Sequence, residues 1–225
     1  MSRIRNLSIA STPALAGIVG PLILVTGDIA ATLSIPDYSM VRDTISSLAL
    51  THLGWLQTLG FLVMGLMVQV FIAGLYLSIR KARGFGPSIG LLMCLGFGLL
   101  MIGAFRMDPP GVPPTTEGTI HTITAYSLSL VFPIALLSLA PSLRSDPNWR
   151  ATFVYTLIAA VLALGLTAGL VLLSARMAWF GLYERIIVAN LIIWVEVMAV
   201  HLLRLSLRRK PLPEASRGGR TNSGM

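Results

Sequence analysis

The chain has 225 residues, 55% of them hydrophobic and only 12% charged, with a mean hydropathy of +0.79. A water-soluble domain carries about 25% charged residues, so a soluble fold is excluded, and the lack of short alternating segments excludes a transmembrane barrel. A net charge of +8 would suit nucleic acid in a soluble protein, but the basic residues lie in the connections between apolar runs, so no nucleic-acid partner is expected.

Each apolar run approaches twenty residues, enough to cross a hydrocarbon core of roughly 30 Å. The expectation is an all-α polytopic membrane protein: a six-transmembrane-helix bundle over residues 1–207, then a disordered, basic cytoplasmic tail over 208–225. Arg3 and Arg5 before an apolar stretch resemble a signal peptide, but the stretch is long and contains Asp28, so it reads as a retained first helix over 13–34. Gly17, Gly20 and Gly27 on that helix allow close approach to a neighbour. Residues 37–53 are too polar and too short to span. Asp43 is expected to cap a short interfacial helix there, with Ile45, Leu48 and Ala49 as its apolar stripe, lying flat at the interface or tucked back among the helices.

Helix two is expected over 54–79 and stops at Arg80, Lys81 and Arg83. Helix three, over 85–105, carries Gly86 and Gly90 at the spacing that lets backbones touch. Four prolines between Phe105 and His121 then enforce a stiff, extended crossing. Thr115 or Thr116 can cap helix four over 117–139, with Glu117 in its first turn and His121 one turn further on. A neighbour can satisfy the carbonyl freed by Pro133 inside that helix, and Pro141 opens a polar turn. Helix five is expected over 149–174, with Gly165 and Gly169 as a second close-packing pair. After a turn from Arg176, helix six covers 183–207.

Six crossings put both termini on one side, and thirteen of the seventeen Lys and Arg fall there. The positive-inside rule then makes both termini cytoplasmic, in a plasma (inner) membrane. Arg42, Arg106, Arg176 and Arg185 remain on the outer side, with Asp37, Asp43, Asp108, Glu117, Glu184, His52 and His121. Carboxylates beside histidine are the material of acid–base chemistry, and arginines hold anions. Asp43, Asp108, His121 and Glu184 are therefore the candidate catalytic residues, and Arg42, Arg106 and Arg185 the candidate ligand-binding ones. The plainer reading pairs Arg42 with Asp43, Arg106 with Asp108 and Glu184 with Arg185 as loop ties.

Charges at mid-membrane are costly, so Asp28 and Glu196, with Asn190, form an intramembrane polar set facing the bundle interior. Tyr183, Asn190, Trp194 and His201 make a stripe along helix six. Cys94 is the lone cysteine, which rules out an intramolecular disulfide, and no spacing matches a metal signature, so no metal site is assigned. No cofactor is indicated.

The segments YSMVRDTISSL after helix one, FRMDPPG and GTIH between helices three and four, and GLYERI opening helix six resemble the domain-of-unknown-function 998 family. The resemblance covers about residues 13–208 and implies a six-helix prokaryotic membrane protein without an assigned activity. Its motif positions here are Arg42, Asp43, Ser46, Asp108, His121, Glu184 and Arg185, and it supplies no catalytic roles.

Three functions compete. The first is binding of a lipid headgroup or other anionic amphiphile in an outer-face polar pocket, with membrane lipid as partner and a homo-oligomer as an open possibility. The second is a membrane-embedded hydrolase or transferase acting on a lipid-linked substrate through Asp108, His121 and Glu184. The third is a small proton-coupled transporter with Asp28 and Glu196 on its path.

Overall fold

The computed structural model describes residues 2–172 and 177–208, with side chains from residue 11 onward. Six helices account for nearly all of it: α1 (Ser2–Ser34), α2 (Gly54–Ser78), α3 (Phe85–Ala104), α4 (Thr116–Ser145), α5 (Phe153–Leu172) and α6 (Phe180–Arg208). All six carry a stretch long and apolar enough to cross a membrane, that of α1 being Ser11–Ser34. The protein is a multi-pass, all-helical membrane protein.

The helices form a ring in which α1 packs on α2 and α6, α2 on α3, α3 on α4, and α4 on α5. The seam between α5 and α6 is the thinnest. Phe71, Met64, Leu95, Leu136, Leu139, Trp194 and Met198 fill the middle, each almost fully buried. With lipid as solvent, burial of apolar surface does not distinguish core from rim, so close backbone approach and interhelical hydrogen bonds do more of the holding. At Gly17, an added Cβ would lie 2.8 Å from the Ala199 side chain, and at Gly20 2.7 Å from Met67, so α1 can approach α6 and α2 closely only through glycine.

Several element boundaries differ from expectation. α1 is helical through both Pro13 and Pro21 and begins well before residue 13. α4 continues past Leu139, through Pro141, to Ser145. The residue that ends it is Asp146, 4% exposed, which accepts from Arg80 N (2.7 Å) and Asn148 N (2.8 Å) and so ties two connections together. Gly86, Gly90 and Gly165 face open space rather than a neighbouring backbone. Gly169 does meet a neighbour, the Tyr183 side chain.

The segment after α1 is a 3-10 helix, Ser46–Leu50, without a side-chain cap. Ile45 and Leu48 are buried, and the helix is tucked back against α1 and α2, one of the two expected placements. Residues 173–176, including Arg176 and the expected end of helix five, lie outside the described residues, as does the tail after Arg208.

The polar stripe on α6 is a seam with α5. Tyr183 donates to the Leu166 carbonyl, Asn190 Nδ2 to the Ala159 carbonyl (3.1 Å), and Trp194 Nε1 to Thr156 Oγ1 (3.2 Å). His201 lies beyond it, with Nε2 2.7 Å from the Asn148 carbonyl.

Candidate functional site

Three connections meet at one end of the bundle, and α6 divides what they bring. Adjacent helical residues do not face the same way, and Glu184 and Arg185 diverge accordingly. Arg185 turns toward α1 and the segment behind it. Its Nη1 donates to the carbonyls of Met40 (2.9 Å), Asp43 (2.7 Å) and Gly181 (3.2 Å). Its Nη2 donates to Tyr38 Oη (2.7 Å) and lies 3.9 Å from Asp28 Oδ1. Tyr38 in turn donates to the Thr44 carbonyl (2.7 Å), and burial pushes its phenol above the usual range. Gly181 makes this docking possible, because a Cβ there would strike the Asp43 backbone.

Arg42 is engaged as well. It grips Asp43 with two hydrogen bonds of 2.8 Å and donates to the Asp37 carbonyl (2.9 Å). Asp43 also accepts from Ser39 N (2.8 Å), and the Arg42 guanidinium holds its carboxyl below the ordinary value. Asp108 does not pair with Arg106. It accepts from Thr115 Oγ1 (2.7 Å) and Thr115 N (3.0 Å), which lower its pKa, while Thr115 Oγ1 caps α4 by accepting from Gly118 N (3.1 Å). Glu117 reaches back to accept from Arg106 N (2.8 Å). The proline-rich connection is thus anchored onto the start of α4. The Arg106 side chain is exposed and makes no hydrogen bond or ion pair among the described residues.

On the other face of α6, Glu184 accepts from Ile45 N, at the entrance to the 3-10 helix. Ser46 Oγ, the next residue along, lies 3.3 Å from Glu184 Oε1 and 3.1 Å from His121 Nε2. His121, 5% exposed, has Nδ1 2.7 Å from the Phe105 carbonyl. A carbonyl only accepts, so Nδ1 carries a proton and Nε2 faces the hydroxyl. The result is a chain of contacts from Phe105 O through His121 and Ser46 to Glu184.

This chain forms the polar end of a cleft of about 330 Å³ between α3, α4, α5 and α6. Thr44 and Thr122 share that end, and Leu95, Leu99, Phe132, Leu166 and Leu170 line the apolar remainder. A second cavity of about 150 Å³ lies toward α1 and α2, lined by Asp28, Gln57 and Arg185. Gln57 is 1% exposed, yet neither of its amide atoms, nor Asp28 Oδ1, nor Arg185 Nε, finds a hydrogen-bond partner within the described chain.

Of the residues singled out by sequence, the structure therefore brings together His121 and Glu184. It leaves Asp43 and Asp108 in separate loop ties. Asp28 joins Arg185, whereas Glu196 makes no hydrogen bond or ion pair among the described residues. Ser46, which bridges His121 and Glu184, stood out only as a motif position. Among the described residues, no three His, Cys, Asp or Glu converge as a group able to hold a metal.

Six membrane-length helices around a polar-ended apolar cleft define an integral membrane protein of the multi-pass helical class. The chain belongs to the family described as protein of unknown function (DUF998), which it matches over residues 18–201. No curated protein and no solved structure matches it.

Proposed function

We propose that this protein binds a membrane amphiphile in the cleft between α3 and α6, with the acyl chain against Leu99, Phe132 and Leu170 and the polar part at Ser46, His121 and Glu184. The observation that carries the reading is the cleft itself: a largely apolar lining that meets a cluster of hydroxyls, an imidazole and a carboxyl. Binding sites for small molecules are mostly apolar with a few convergent polar groups. Arg106 is the natural contact for an anionic headgroup. It adjoins the cleft-lining Met107, and its guanidinium is uncommitted, whereas Arg42 and Arg185 are engaged within the chain.

The charge asymmetry of the connections supports an orientation with both termini cytoplasmic and the polar end on the opposite face of a plasma (inner) membrane. The same surface leaves room for a homo-oligomer, and the bilayer supplies the partner lipid.

Native mass spectrometry of the chain released from gentle detergent tests the reading. The wild type is expected to retain phospholipid. Ala125→Trp, at an exposed cleft position, should lower occupancy at least tenfold while leaving the melting temperature unchanged. Arg106→Ala should shift the retained lipid away from anionic headgroups. Equal lipid retention by wild type and Ala125→Trp would overturn the proposal.

A further inference from the structure

The polar end of the cleft has the parts of a serine acyl-transfer centre. A serine hydroxyl is a weak nucleophile until a base accepts its proton, and the base needs a third group to fix its tautomer and orientation. Ser46 Oγ is 3.1 Å from His121 Nε2, and the Phe105 carbonyl, 2.7 Å from Nδ1, holds the imidazole with Nε2 toward the hydroxyl. His121 is nearly fully buried, and both side chains line the cleft.

We infer that Ser46 is a nucleophile and His121 its general base, acting on the carboxylic ester of a lipid seated in the cleft. This rests on the amphiphile reading above and adds the reaction.

Proton bookkeeping allows it. With His121 neutral, Ser46 donates to Nε2 and Glu184 in its acid form donates to Ser46. With His121 charged, Ser46 donates to the Glu184 carboxylate. Both arrangements contain the same number of protons and satisfy all three groups. In the first, Ser46 Oγ attacks the ester carbonyl carbon as its proton passes to His121 Nε2. The carbonyl carbon–alkoxy oxygen bond then breaks, and the departing alcohol takes that proton from Nε2. The acyl group remains on Ser46 until water or a second alcohol repeats the step in reverse. Thr122, whose hydroxyl lines the same cleft, is a donor for the oxygen that gains charge.

The surroundings favour an acyl ester over two other substrates. Transfer of a phosphoryl group calls for cations around the reacting phosphorus, but among the described residues no Lys or Arg lines this cleft, and Arg185 is held on the opposite face of α6. Glycoside hydrolysis uses two carboxyls about the reacting bond, and among the described residues Glu184 is the one carboxyl lining the cleft. A neutral ester needs neither. It also sits just below the headgroup of a glycerolipid, so its carbonyl would fall at Ser46 while the headgroup reaches Arg106.

The test treats the full chain in micelles with a long-chain alkyl fluorophosphonate and locates the adduct by peptide mass spectrometry. Phospholipid occupancy is measured on the same preparation. An adduct on Ser46, absent from Ser46→Ala and slowed at least a hundredfold in His121→Ala, is the expected result. A second measurement needs no variant: p-nitrophenyl laurate should release p-nitrophenolate and leave a hydroxylamine-sensitive laurate on Ser46. Retained phospholipid with no adduct on Ser46 by either reagent would overturn the acyl-transfer inference and leave the binding reading standing. Loss of both lipid and adduct from folded wild type would overturn both.

Discussion

Asp108 and Arg185 show how single polar groups hold the connections at one end of the bundle. Because Asp108 is drawn to the Thr115 hydroxyl and amide, its carboxyl titrates below the ordinary 3.8. A depressed folded pKa means that the stabilising contact is fully present above the unfolded value and lost as pH falls through the folded one. The Thr115 amide resonance should accordingly titrate with a midpoint below 3.8, and the transition should vanish in Asp108→Asn. A midpoint at or above the ordinary value would show that the Asp108–Thr115 contact is absent in solution.

Arg185 carries a heavier role, since its side chain is only 12% exposed and faces four oxygen acceptors and Asp28. Removing one member of a buried charge pair costs about 3–5 kcal/mol, so Arg185→Leu should lower the detergent-unfolding midpoint sharply. Arg185→Lys should recover only part of it, because an ammonium cannot reproduce the planar fork. Full recovery by lysine would assign the effect to charge alone.

These residues also show what sequence could and could not reveal. The gathering of Asp43, Asp108, His121 and Glu184 at one end followed from the apolar spacing and the sign of the connections. Which groups touch did not follow. Glu184 and Arg185 look like a pair when written side by side, yet on a helix they point in different directions, one into the cleft and one to α1. Ser46 has no charge to attract notice, and its partners lie 75 and 138 positions away. Asp108 was bound to lose Arg106 once Thr115 offered both a hydroxyl and an amide at the α4 start.

At the scale of elements, the prolines of α4 are the informative case. Pro133 has no N–H for the Ser129 carbonyl, and Thr167 Oγ1 from α5 supplies the donor at 2.6 Å, sharing its proton with the Ala163 carbonyl (2.8 Å). Interhelical hydrogen bonds in a membrane are worth about 0.6–1.7 kcal/mol, which is the expected cost of Thr167→Val. In a Pro133→Ala background the Ser129 carbonyl can regain its own helical partner, so the same substitution should cost less. A double-mutant cycle of unfolding free energies in mixed micelles checks this, and strict additivity would contradict it. Pro141 misled the boundary of α4 because a proline signals an ending in water, whereas in lipid no alternative to the helix satisfies the backbone. Gly86 and Gly90 misled for a related reason: spacing permits close packing but does not require a neighbour.

For the whole molecule, the ring of helices explains why the cleft lies where it does. Consecutive helices pack against one another, and the closing contact of α5 with α6 is the thinnest. The polar seam of Tyr183, Asn190 and Trp194 holds these two helices together, and the cleft lies beside it, lined by α3, α4, α5 and α6. Six crossings and the placement of charge were legible from hydropathy alone. The thin seam was not, because every helix is apolar on most of its surface. The proposed orientation turns the polar end away from the cytoplasm. The most direct measurement places a cysteine at the exposed Val112, in a Cys94→Ser background, and treats intact cells with a membrane-impermeant maleimide. Labelling before permeabilisation is the predicted result; labelling only after the inner side is opened would contradict the orientation.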